Sequence, residues 1–149
     1  EISRIEGIAG SPSYMSPEQV QSLEITNRSD LYALGAVMYE LLTGFRPFRA
    51  GNLSKLLHQI VYATPPPIHT LRKDIPEELE HVVALAMHKD PERRYRTGQD
   101  LAAELTRVHQ RLRSETNKID RQEQFAMLRR LKFFHEFSHG EIWEVLRAS

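Results

Sequence analysis

The chain has 149 residues, of which 40% are hydrophobic and 27% charged, with a formal net charge of zero. That balance reads as a soluble globular domain and gives no global pull toward nucleic acid or an acidic membrane surface. The absence of cysteine excludes disulfide and thiolate chemistry. In chain order, residues 1–15 are polar and carry Gly7, Gly10 and Pro12, so they read as an extended loop without the apolar run of a signal peptide. Ser16-Pro17-Glu18-Gln19 has Ser at an N-cap, Pro at the first helical position and Gln at the third, which predicts a short helix to about Leu23. The stretch Ser29–Gly44 is apolar on every side, with Glu40 its one charge between Asp30 and Thr43, and predicts a helix with partners all round. Ser29 is the expected N-cap, Asp30 the favourable first-turn anion and Gly44 the left-handed stop.

A turn-rich segment follows. Leu53, Leu56, Leu57, Ile60 and Val61 then recur at helical spacing. Thr64-Pro65-Pro66-Pro67 should be extended. Pro76 opens a helix with a Leu79, Val82, Val83, Leu85, Ala86 stripe, which Asp90-Pro91 ends. Thr97, with Asp100 three residues on, caps a last helix through Leu101, Leu105, Val108 and Leu112. Ser114–Gln122 is polar and is the expected linker. Beyond it Phe125, Leu128, Leu131 and Phe134 line one helix, and Ser138-His139-Gly140-Glu141 caps another. No segment alternates as a strand would, and a coiled-coil stalk over 97–132 lacks sustained heptads.

Gly10–Glu18, GSPSYMSPE, resembles the end of a protein-kinase activation segment, with Ser16-Pro17-Glu18 in place of A-P-E. Ser29–Gly35, SDLYALG, resembles the start of the central helix of the kinase C-terminal lobe. Thr43–Phe48, TGFRPF, and Lys89–Tyr95, KDPERRY, resemble the motifs that follow it. Four short motifs in the right order make the resemblance specific where each alone is weak. It implies a mainly α fold, the incomplete helical C-terminal lobe of the protein-kinase fold, over residues 1–113. The linker at 114–122 would follow. Residues 123–149 resemble the N-terminal helices of a cyclic-nucleotide-binding-like domain, without its β-roll.

The flavour is of bacterial serine/threonine kinases, whose reaction moves a phosphoryl group from ATP and Mg²⁺ to protein Ser or Thr. The resemblance implies that Ser11, Pro12, Ser13, Tyr14 and Met15 form the peptide-substrate platform. Glu18 and Arg94 would form a buried ion pair, and Asp30 would anchor the backbone of a catalytic loop. Ser3 is a candidate phosphosite. The Gly-rich loop, the V-A-I-K lysine, H-R-D-x-x-x-x-N and D-F-G are missing, and with them the nucleotide, metal and catalytic groups. The chain alone is therefore expected to be inactive and to bind no ATP, while the longer protein is expected to be a cytoplasmic kinase acting on a protein substrate. A regulatory interaction module or pseudokinase is the alternative, and the sequence upstream of Glu1 separates the two. A cyclic nucleotide is a further candidate partner, at a domain completed after Ser149. His135-Glu136-Phe137-Ser138-His139 matches the H-E-x-x-H zinc pattern, but Ser138 and Gly140 should begin a helix where the motif needs its middle, so no metal site is expected.

Overall fold

The computed structural model describes residues 12–130 together with 140, 144 and 147. Among these the secondary structure is helical, with no strand. A single 3₁₀ turn, Pro12–Tyr14, precedes α1 (Pro17–Val20), α2 (Asn27–Thr43), α3 (Leu53–Tyr62), α4 (Ile68–Leu71) and α5 (Glu77–Ala86). A second 3₁₀ turn, Pro91–Arg93, leads to α6 (Gly98–Arg130). The chain divides into two units, residues 1–105 and 106–149.

In the first unit α2 is the axis. Tyr32, Ala36 and Tyr39 on one of its faces form the core with Phe48, Ile60 of α3, Ile68 of α4, and Val83 and Met87 at the end of α5. Gly35 lets α2 and α5 approach closely. A Cβ there would lie 2.8 Å from Met87 Cγ and 2.9 Å from Ala86 Cβ, inside contact distance. Gly44 ends α2 at φ 77°, in the left-handed region where its missing side chain removes the steric cost. Tyr39 ties the axis to the proline run by donating its hydroxyl to the Pro66 carbonyl at 2.8 Å.

Several expectations hold and others change. Ser16 caps α1, receiving Gln19 N–H while Gln19 Oε1 receives Ser16 N–H, so both halves of the capping box form. Thr97 and Asp100 form the equivalent pair before α6. The N-cap of α2, however, is Thr26 and not Ser29, with Thr26 Oγ1 accepting from Arg28 N–H at 3.2 Å. Ser29 is drawn into the core by another partner, described below. Nor is α2 covered all round. Leu34, Val37 and Leu41 lie at one helical spacing and are exposed, Leu41 to 79%, because the described elements pack on the opposite side. The four-residue α4 after the prolines was not foreseen.

The expected linker has regular structure. Residues 114–122 are helical and continue α6, which runs for 33 residues. They hold neither Gly nor Pro, and polarity alone does not stop a helix. An Arg111–Glu115 pair at 3.3 Å, one turn apart, adds side-chain support. The H-E-x-x-H stretch at 135–139 lies outside the described residues, as do Ser3 and Ser11.

Candidate functional site

The site grows from two short segments fixed on the N-terminal end of α2. The capping box holds α1 and so orients Glu18, which is 4% exposed. The 3₁₀ turn Pro91–Arg93 is started by Asp90, whose Oδ1 accepts Glu92 N–H at 2.9 Å, and it delivers Arg94, 3% exposed. Arg28 braces that turn by donating to the Pro91 carbonyl at 2.9 Å and pairing with Glu92 at 2.7 Å.

Glu18 and Arg94 meet as a bidentate fork. Arg94 Nη1 donates to Glu18 Oε1 at 2.6 Å and Nη2 to Oε2 at 2.8 Å. The remaining N–H groups of the guanidinium go to backbone carbonyls. Nε donates to His88 at 2.6 Å, Nη1 to Arg28 at 2.9 Å and Nη2 to Lys89 at 3.2 Å. All five donors of the side chain are therefore used, the condition under which burying such a pair is tolerable. Ser29 supplies a third element by donating its hydroxyl to Glu18 Oε1 at 2.7 Å. This explains why it does not cap its helix. Burial pushes the Glu18 carboxyl up, but the hydrogen bonds from Arg94 and Ser29, with the Arg94 charge, outweigh it and hold the group at about 2. The Arg94 guanidinium also lies over the Tyr32 ring, 4.9 Å from its centroid. The Tyr32 hydroxyl is buried with no hydrogen-bond partner among the described residues, and burial pushes its pKa up.

The expected platform residues Pro12–Met15 are held by a second polar cluster. Ser13 is buried, and its hydroxyl oxygen accepts from Arg46 Nη1 at 3.1 Å. Tyr14 donates its hydroxyl to Glu40 Oε2 at 2.6 Å, a charge-assisted bond that raises the phenol's pKa. Glu40 and Arg46 face one another at 3.8 Å. The 3₁₀ turn is thus tied both to α2 and to the segment after it. Asp30, at the first turn of α2, is exposed.

Sequence reasoning brought Glu18 and Arg94 together and placed Asp30 correctly at the helix start. It missed Ser29 as the carboxylate's third partner, and it missed Glu40 and Arg46 as supports of the platform. Glu40 was the one signal available, since a lone charge on an otherwise apolar helix needs a partner. Among the described residues no group of three or more His, Cys, Asp or Glu could hold a metal ion. Nor does a phosphate-cradling glycine loop occur in the chain, so the described residues do not fit a magnesium-nucleotide site. No helix among them is long and apolar enough to cross a membrane.

Residues 2–110 match the protein kinase domain family. Serine/threonine-protein kinase PknB of Mycolicibacterium smegmatis is 35% identical over 118 residues, covering 79% of this chain and 19% of the relative. Serine/threonine-protein kinase PrkC of Bacillus subtilis is 35% identical over 104 residues, 70% of this chain and 16% of the relative. Tyrosine-protein kinase MasK of Myxococcus xanthus is 40% identical over 95 residues, 64% of this chain and 15% of the relative. The match thus spans less than a fifth of these relatives' length. From its match over residues 2–110, the chain belongs to the protein kinase domain family.

Proposed function

We propose that this chain carries the peptide-substrate platform and helical scaffold of a kinase that phosphorylates protein Ser or Thr. The observation that carries the reading is the fully bonded Glu18–Arg94 pair beside the Pro12–Met15 turn. A peptide held for phosphoryl transfer needs a rigid surface, because positioning and electrostatics supply nearly all the catalysis. Here a buried ion pair fixes one end of the segment and the Tyr14–Glu40–Arg46 cluster fixes the other. Ser11 would extend the platform, Asp30 would receive backbone N–H groups of a catalytic loop, and Ser3 would be the phosphosite. ATP and Mg²⁺ would be held by residues of the intact protein outside this chain. Names of the relatives favour Ser/Thr as acceptor, with MasK the exception.

Residues 123–149 we read, on their sequence pattern alone, as the head of a cyclic-nucleotide-binding-like domain, and the intact protein as cytoplasmic. The test is phosphotransfer from labelled ATP to a protein Ser/Thr acceptor. Transfer by the intact protein, lost on Glu18→Ala with binding of ATP retained, is the expected result. An intact protein that binds peptide but transfers nothing would favour the pseudokinase.

A further inference from the structure

Next to the platform lies an open groove of about 460 Å³ between the end of α2, the segment 45–49, α3 and α4. Its chemistry is one-sided. Arg46 and Arg49 line it and, among the described residues, no carboxylate does; Glu40, 3.8 Å from Arg46, lies outside the lining. Arg49 has no carboxylate partner among the described residues, its guanidinium resting 4.3 Å from the centroid of the Phe45 ring. Phe45 and Leu71, exposed to 47% and 41%, give the same groove an apolar lining. On its wall the Gln59 Oε1 is buried without a hydrogen-bond partner among the described residues, an acceptor open to a backbone N–H of a bound segment. Finally, Arg46 belongs both to the groove and to the platform, since it donates to Ser13.

We propose that this groove docks an acidic segment of the protein substrate, one in which carboxylates flank an aromatic side chain. The assignment of the occupant as substrate rests on the kinase reading above. A guanidinium on an aromatic face with no carboxylate partner among the described residues is set to take a carboxylate from outside, and Arg does so with paired N–H groups. The aromatic side chain would sit against Phe45 and Leu71, where apolar surface is otherwise left in water. A lysine-rich segment meets two like charges and is refused. Because Arg46 spans groove and platform, a segment bound here would lie beside the residues presented for phosphorylation.

The test has two parts. First, fluorescein-labelled peptides GDEFEDG, GDEAEDG and GKKFKKG are titrated against the 149-residue chain by anisotropy. The acidic phenylalanine peptide should bind, more weakly at raised salt, and the lysine peptide should not. Arg49→Glu should weaken binding about tenfold, as should Phe45→Ala, with the far-UV circular dichroism of both variants unchanged. Equal binding of all three peptides, or binding indifferent to both substitutions, overturns the proposal, as does heparin competing equally with peptides that have and lack phenylalanine. Second, the intact protein is given a Ser/Thr peptide with and without the GDEFEDG extension. The extension should lower KM about tenfold in the wild type and not in Arg49→Glu, with kcat unchanged. A KM indifferent to the extension overturns substrate docking and leaves the kinase reading standing. No transfer to either peptide overturns the kinase reading, and with it the substrate as occupant, while the binding result on the chain alone still decides whether the groove takes an acidic peptide.

Discussion

Replacing Arg94 by Met removes five donors at once, keeps an apolar stem in the pocket and leaves the guanidinium's place empty. Glu18 then keeps the Ser29 hydroxyl and loses its countercharge, while the carbonyls of Arg28, His88 and Lys89 lose a donor each. Breaking a buried pair by removing one partner costs ~3–5 kcal/mol. Small domains have about 5–15 kcal/mol in total, so Arg94→Met should sit close to unfolding at neutral pH. The pH dependence gives a sharper signature than the loss itself. In the wild type Glu18 is held at about 2, below its unfolded 4.5, so its contribution is full above 4.5 and is lost as pH falls toward 2. In the variant burial dominates and raises Glu18 above 4.5. The folded state then binds more protons than the unfolded one, and stability rises as pH falls toward 4.5. The gap between the two proteins should therefore shrink from neutral pH downward. Urea unfolding of the 149-residue chain, followed by far-UV circular dichroism at several pH values, measures it. Arg94→Lys, which keeps the charge but not the fork, should fall between them. A gap below about 1 kcal/mol at neutral pH, or one that is constant with pH, would refute the account.

The same unfolding assay checks three other expectations. Gly35→Ala gains up to ~1 kcal/mol of helix propensity but forces a Cβ onto Ala86 and Met87 at a cost of ~1–3 kcal/mol, so a net loss is expected and a gain would mean the helices part freely. Tyr32→Phe removes a buried hydroxyl that has no partner among the described residues and keeps the ring beneath Arg94. It should raise stability by about 1 kcal/mol, and a loss of that size would reveal a partner for the hydroxyl. Lys89 donates to the Ile60 carbonyl and lies over the Phe48 ring, and burial, with the nearby Arg94 charge, lowers it from 10.5 to about 8. The unfolded chain binds the extra proton between those values, so stability should rise with pH across that window relative to Lys89→Met, and a flat difference would contradict the burial.

Local chemistry was legible, and tertiary choices were not. The caps at Ser16 and Thr97, the stop at Gly44 and the breaks at the proline run follow from side chains acting on backbone within four residues. The start of α2 could not be read the same way. Thr26, Asn27 and Ser29 are all able to cap, and Ser29 was claimed by Glu18, eleven residues away in sequence and fixed by a different element. The apolar composition of α2 likewise did not say which face is covered. Leu34, Val37 and Leu41 read like Tyr32 and Tyr39, and packing of the described elements alone distinguishes them. At 114–122 a polar composition suggested a linker, and a helix needs no apolar face to continue through it where neither Gly nor Pro interrupts. Glu18 and Arg94 were legible as a pair because family motifs mark both, whereas Glu40, Arg46 and Tyr14 meet through folding of ordinary-looking segments.

Arg94 also sets how the molecule opens. Its partners lie in α1, at the first turn of α2, and in the segment after α5. Four-residue helices at a surface normally fray alone and exchange their amide hydrogens rapidly. Here lifting α1 away would leave a guanidinium bare in the interior, so α1 is released with its neighbours or not at all. Its amides are accordingly expected in the slow-exchanging class of the core. A single side chain thereby turns three short stretches into one cooperative unit.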